Sequence, residues 1–219
     1  ARPDAQIIAL SATVGNAPEM ARWLEAELVV SDWRPVTLRY GTFNGLEGKI
    51  HRVEGSSDDL IPEIRHLEGK STRQLQAILS DTIVRGGQLL VFVSSRSSAQ
   101  KEARELSKHC RGLLVDGIES IDPVTAEEWE GIADSISRAE GSNLGNTLSE
   151  SLRGGVAFHH AGLTGRQRGI VEDAFRAGDL ACIVATPTLA QGVNLPARTV
   201  VVRDYRRWSA AAGMSMPLP

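Results

Sequence analysis

Residues 180–197, LACIVATPTLAQGVNLPA, decide the fold. Leu180, Cys182, Ile183 and Val184 form an apolar run of strand length without polar alternation, the pattern of a strand covered on both faces of a parallel sheet. Thr186 then reads as a helix N-cap and Pro187 as the first helical residue, an order in which a hydroxyl accepts an orphan N–H and a fixed φ begins the turn. Gly192 reads as the stop of that short helix. A strand that runs into a capped helix start aims free N–H groups and a positive dipole end above the sheet edge, where phosphate is the usual guest.

Outward from that stretch, strand and helix alternate from residue 72 onward. The spacing predicts a helix over Thr72 to Val84, with Leu75, Ile78, Leu79 and Ile83 on one face and Gly86 and Gly87 ending it. A buried strand follows from Leu89 to Val93. Residues 94–100, SSRSSAQ, close it, and Ser97 with Gln100 reads as a capping box for a helix over Ser98 to His109. Gly155 to Phe158 is the next strand, capped by His159 to Leu163. A helix over Thr164 to Ala177 starts with Thr164 and Gln167 as a capping box and ends at Gly178. Thr199 to Val202 reads as one more buried strand. Right-handed crossovers between such units build an open, mostly parallel, doubly wound α/β sheet, whose ligands bind at the carboxyl ends of the strands. Three polar turns, at Ser94, His159 and Thr186, fall at that edge.

The remainder reads less regularly. Ile7 to Leu10 and Leu28 to Val30 read as short strands, and Asn16 with Glu19 as a capping-box start for a helix over Ala17 to Glu27. Tyr40 to Gly55 reads as strand, turn and strand after a domain boundary near Asp32 to Tyr40. The span of about 111–153 reads as a helical insertion on one edge of the sheet. It holds an N-cap signal in DPVTAEEW (122–129), and Leu144, Leu148 and Leu152 at helical spacing.

Composition limits the function classes. The chain has 219 residues, of which 42% are hydrophobic and 23% charged, ordinary for a soluble globular protein. With 24 basic against 27 acidic residues the net charge is −3, so nucleic-acid contact would have to be local rather than driven by an overall basic field. Cys110 and Cys182 lack paired spacing and read as reduced thiols. No apolar run reaches transmembrane length and no signal peptide opens the chain, a cytoplasmic pattern. His159 and His160 point in divergent directions and have no Cys or acidic partners at zinc spacing, so no metal site is expected. Gly69, Lys70 and Ser71 mimic the end of a Walker A loop, but that loop wants glycine where Ile64 stands. Both ends read as cut, so the chain is expected to be a piece of something larger.

Several strings carry a family resemblance. ATPTLAQGVNLPA (185–197) closely resembles motif V of superfamily 2 helicases, in the form carried by the Ski-like group and its archaeal DNA-repair members. LLVFVSSR (89–96) resembles motif IV, FHHAGL (158–163) the following motif of the second RecA-like domain, and IALSAT (8–13) motif III at the end of the first. They occur in the family's order over nearly the whole chain. The resemblance implies that 1–33 end the first RecA-like domain and that 34–219 form the second, a P-loop NTPase fold truncated before motif VI.

It also implies roles. Ser94, Ser95, Arg96, His160, Gly162 and Thr186 would meet the backbone of a tracked single strand, and Gly192 and Asn194 would face the ATP cleft. Ser11, Ala12 and Thr13 would belong to the first domain's coupling motif. Tyr205, Arg206, Arg207 and Trp208 would lie on the opening arm of a strand-separating β-hairpin, or on a strand with an exposed basic end. The serines read equally well as caps, and Gly192 as a helix stop.

The parent implied is a 3′ to 5′ DNA helicase using ATP and Mg²⁺ on single-stranded or forked DNA at stalled replication forks, associated with the nucleoid. The chain lacks Walker A, the acidic Mg²⁺-binding box and QxxGRxGR, so this piece is expected to be inert alone. An RNA helicase of the Ski-like group and a non-catalytic nucleic-acid-binding module stay open as alternatives.

Overall fold

The computed structural model describes residues 8–11, 15–31, 33, 36, 38–44, 49–52, 64–67, 73–115, 123–139, 142–190, 195–204, 206–209 and 214–217. A short helix α1 (Ala17–Trp23) comes first. Then β1 (Gly41–Asn44), β2 (Lys49–Arg52) and β3 (Ile64–His66) form an antiparallel three-stranded sheet in sequence order. This agrees with the strand, turn and strand read over 40–55.

The main unit follows as α2 (Gln74–Val84), β4 (Leu89–Phe92), α3 (Arg96–Val115), α4 (Pro123–Ala139), α5 (Asn143–Leu152), β5 (Val156–His159), α6 (Gly165–Ala177), β6 (Cys182–Ala185) and β7 (Thr199–Val202). A 3-10 turn over Pro187–Ala190 leaves β6. The four strands are parallel in the order β5-β6-β4-β7, the open RecA-like sheet with flanking helices that the motifs imply. The path from β4 through α3 to β5 runs one way across this order and that from β5 through α6 to β6 runs the other. Right-handed crossovers therefore require α3 and α6 on opposite faces.

β5 and β6 are buried at every position, as unalternating apolar runs between two helical layers must be. Phe158, Phe175, Leu180 and Ile183 are fully buried there together with Leu79, Leu89 and Leu106. The two cysteines lie in this core, and burial alone pushes the Cys110 thiol up to about 12, so it stays protonated and unreactive.

The insertion is the predicted helical one. α5 packs on α3 and β5, and α4 packs on α5 and α6. Trp129 of α4 is fully buried, and its indole N–H donates to the Asp179 carbonyl at 2.7 Å. Gly155 stands at φ +66 directly under this indole, where a Cβ would collide with the ring. The insertion is thus anchored at the amino ends of β5 and β6 and leaves their carboxyl ends open.

Several expectations need correction. Residues 8–10 and 28–30 form no strand among the described residues; Leu10, Val29 and Val30 are exposed, and an extended apolar segment without a neighbouring strand has no ladder to join. α1 ends at Trp23 rather than Glu27. It buries nothing, and Glu25 takes the left-handed φ of 51 just after it. Asn16 precedes α1 without a side-chain cap bond, so the Asn16–Glu19 capping box does not form. α3 begins two residues earlier than expected because Ser95, not Ser97, caps it: Ser98 N–H donates to Ser95 Oγ at 3.1 Å. β7 is an edge strand that alternates half-buried with exposed, with Val200 and Val202 outward, rather than a buried one.

Other expectations hold to the residue. Thr164 and Gln167 make both halves of the capping box of α6, and Gly178 ends it at φ +95. Ile7, Gly69, Lys70, Ser71, Thr72, Ala12, Thr13, Gly192, Asn194 and Tyr205 lie outside the described residues. Among the described residues no helix is long and apolar enough to cross a membrane.

Candidate functional site

Each parallel strand delivers its exit turn to the same edge, and hydrogen bonds hold the turns in register. Val93 N–H donates to the Ala185 carbonyl at 2.9 Å, Thr186 N–H to His159 at 3.1 Å, and Arg203 N–H to Phe92 at 3.0 Å. The turns after β5, β6, β4 and β7 therefore stand side by side, separated by the strand spacing of about 4.8 Å. β6 exits towards β7 while its neighbour β4 exits towards β5. Adjacent strands whose connections run in opposite directions mark the place where open α/β sheets bind ligands.

Of the expected backbone contacts, Arg96 and Gly162 are exposed, Ser94 and Ser95 are half-buried, and His160 and Thr186 are buried. The buried ones are engaged with the protein. The His160 ring stacks on Phe158 with centroids 5.3 Å apart, and its Nδ1 accepts the Gly162 N–H at 3.1 Å. Its Nε2 lies 3.2 Å from the Gln100 side-chain nitrogen on α3. Burial first, then the Arg96 guanidinium and His159, lower the His160 pKa, so it is a neutral imidazole. A Cβ on Gly162 would lie 3.8 Å from Arg96 Nη1, which brings the β4 and β5 turns to one place. His159 Nε2 lies 2.9 Å from Glu172 Oε1, its Nδ1 is buried without a partner, and burial outweighs Glu172 in lowering its pKa.

Thr186 and Thr188 share a hydroxyl–hydroxyl bond of 2.9 Å, and Thr188 is exposed. Ser94 is turned to the other side. Its N–H and hydroxyl both donate to Asp204 Oδ2 at 3.0 Å, directly after β7. Asp204 also receives Arg203 at 2.8 and 2.9 Å, and Arg203 reaches Glu102 of α3 at 2.6 Å. Burial works against the Asp204 carboxylate, yet the Arg203 and Ser94 bonds hold its pKa below the ordinary value.

Asp204, Gln100 and Thr188 were missed by sequence reading. The signal for Asp204 was its position at the carboxyl end of a strand, on the same edge as the three turns already singled out. Ser11 is exposed.

Beyond β7, β8 (Arg206–Ser209) and β9 (Met214–Pro217) pair antiparallel, with Trp208 opposite Ser215. Arg206, Arg207 and Trp208 thus lie on one strand of an antiparallel pair. Among the described residues no three His, Cys, Asp or Glu side chains group as a metal site would need.

Residues 132–212 match the model of the helicase conserved C-terminal domain. The chain is similar over 218 residues, at 40% identity, to the ATP-dependent DNA helicase Hel308 of Methanocella arvoryzae, covering 98% of this chain and 26% of that one. It is also similar to proteins of the same name from Pyrobaculum calidifontis, at 41% over 95% of this chain, and Pyrococcus horikoshii, at 38% over 98%. The chain spans about a quarter of the length of these relatives.

Proposed function

We propose, from the premise that this chain belongs to the superfamily 2 helicases, that it is the strand-gripping part of an ATP-dependent DNA helicase. In this reading residues 1–33 close a first RecA-like domain and 34–219 form the second. The exposed Arg96, Gly162 and Thr188 meet phosphates of a single strand, with Ser95 beside them. Ser94, His160 and Thr186 stand behind that row and fix it. The observation that carries the reading is the alignment of three strand-exit turns at one sheet edge, held by inter-strand bonds that continue into the turns.

Each part has a physical task. Arg96 supplies a fixed positive fork for phosphate oxygens. Gly162 lets a sugar-phosphate chain come close to the backbone, while its N–H stays bonded to His160. Such contacts position any sequence equally, which a translocating enzyme requires. Opening and closing of a cleft against a partner domain then turns alternate grip into 3′ to 5′ movement. The β8–β9 hairpin, with Arg206, Arg207 and Trp208, would split the duplex.

ATP and Mg²⁺ belong to the whole helicase, which would act in the cytoplasm at stalled forks. Gly192 and Asn194 would face the ATP cleft. Asp204 and Glu102, after β7 and on α3, are paired with Arg203. ATP would supply the free energy for cleft closure; this chain's residues hold the strand.

Single-strand binding by the full-length parent tests the reading. Arg96→Ala should weaken it roughly tenfold, about 1.4 kcal/mol, and Thr186→Ala should weaken it less and reduce DNA-stimulated ATPase. Unchanged affinity in both variants would end the assignment. Unwinding of matched RNA duplexes but not DNA would move the substrate to RNA.

A further inference from the structure

At the far end of α3 from the turns, Arg104, Lys108 and Arg111 fall within about 60° of one another around the helix axis. With Ser107, Glu150 and Arg153 they line a groove of about 270 Å³ between α3 and the end of α5. Arg153 is held by Glu130 and, at 3.3 Å, by Asp134. Lys108 lies 3.5 Å from Glu105. Arg104 and Arg111 are exposed and make no ion pair with any described residue.

The floor of this groove holds a second feature. Ser107 is 1% exposed, and its hydroxyl has no hydrogen-bond partner. Helical Ser135, Ser137 and Ser151 donate to the carbonyl four residues back, and buried Ser80 and Ser149 bond to His109 and to the Ala133 carbonyl. Ser107 does neither. Gly154 packs its backbone against one side of this serine, where a Cβ would lie 2.5 Å from Ser107 Oγ, so the groove side is the one left for a partner. A buried hydroxyl without a partner lowers stability unless something fills its bond.

We propose that the groove binds a phosphodiester group of the nucleic acid, with Ser107 Oγ–H donating to a phosphate oxygen and Arg104 and Arg111 neutralising its charge. The proposal rests on the nucleic-acid reading of the chain. Three observations favour this ligand over an acidic peptide. One helix joins the groove to Arg96 at the carboxyl edge, 15 residues or about 22 Å away, so a single substrate can meet both. Glu150 on the wall suits a monoanionic diester better than a string of carboxylates. The single hydroxyl donor and two guanidinium forks match one tetrahedral oxyanion.

The test uses the full-length parent with labelled forked DNA and a labelled single strand, over a range of salt. For Arg104→Ala with Arg111→Ala, fork affinity at low salt should fall about tenfold, and the slope of log K against log salt should become shallower by about 0.9, the share of one phosphate. Ser107→Ala should weaken fork binding several-fold while raising the melting temperature of the free protein. That opposite pair of effects is not expected of a merely structural serine. Arg96→Ala reports the carboxyl edge separately, so loss there with no change in the groove variants overturns only this inference. An unaltered salt slope, or a lowered melting temperature for Ser107→Ala with unaltered affinity, overturns it. So would loss of binding to another acidic segment of the parent in place of DNA.

Discussion

The residues from 73 to 202 and the leading segment before them are both supplied with apolar side chains, and they use them differently. In the former, Phe158, Phe175, Leu180 and Ile183 have no measurable exposure, whereas Leu10, Val29 and Trp33 are 91%, 85% and 77% exposed. A strand or amphipathic helix acquires stability from the surface that covers it, so apolar sequence without a cover is only potential structure. The parallel sheet has helices to cover it within the chain. Residues 8–38 have none among the described residues, whereas Phe43 and Leu67, further along the leading segment, pack against the core.

Large-to-small substitution breaks or sharpens this contrast most strongly. Phe175→Ala should cost about 3–5 kcal/mol, the loss of buried area plus the cavity left in a layer that cannot collapse around it. Trp23→Ala, of comparable size but 80% exposed, should stay within about 0.5 kcal/mol. Urea unfolding of both variants measures this. Similar losses would mean that the leading helix is part of the same cooperative core. Next in size is Gly155→Ala. The left-handed backbone and the indole of Trp129 oppose a methyl group together, at about 2–4 kcal/mol. Relief of that loss by Trp129→Leu would show that the indole contact supplies a share of it.

The same contrast explains what could be read from the sequence. Features with a local physical cause were legible: the unalternating apolar run into β6, the Thr164–Gln167 box, the Gly178 stop, and the convergence of strand exits that follows from parallel pairing. The leading segment misled because IALS and LVV carry strand composition, and composition says nothing about a pairing partner. β7 looked buried for the same reason; β5 is an edge strand too, but α3 and α5 pack against it, whereas β7 leaves Val200 and Val202 exposed. Within the candidate site, Ser94–Asp204 and Gln100–His160 join residues 110 and 60 positions apart. No local pattern announces such pairs. Their consequence is considerable, because they decide which of the expected ligand residues face outward.

Acidification should separate the regions further. His109, His159 and His160 all have their pKa values lowered, in each case first by burial. The unfolded chain therefore binds more protons than the folded one below its ordinary histidine value of about 6.5. Stability should be highest above that value and fall as pH drops through it. Urea midpoints at pH 7.5 and 5.5 check the sign, and His159→Gln with His160→Gln should flatten the difference. A midpoint that rises on acidification would contradict the neutral, buried state assigned to these rings. The leading helix carries no histidine, so any signal confined to it should not follow this curve.

The smallest effect tests the contrast at its finest scale, that of a single cap. Thr164 accepts the Gln167 N–H at 3.3 Å and Gln167 returns a bond to the Thr164 N–H at 3.0 Å, so the box satisfies two orphan donors at the start of a helix that buries Val171 and Phe175. Asn16 stands at the same position of α1, with a better intrinsic cap side chain, and makes no such bond. Thr164→Ala should cost about 1 kcal/mol and Asn16→Ala no more than a few tenths. The ranking runs against cap propensity, which would place asparagine first. Equal losses would show that local preference sets these helix starts. The expected inequality would show that a cap contributes only where the helix it begins is already held by packing.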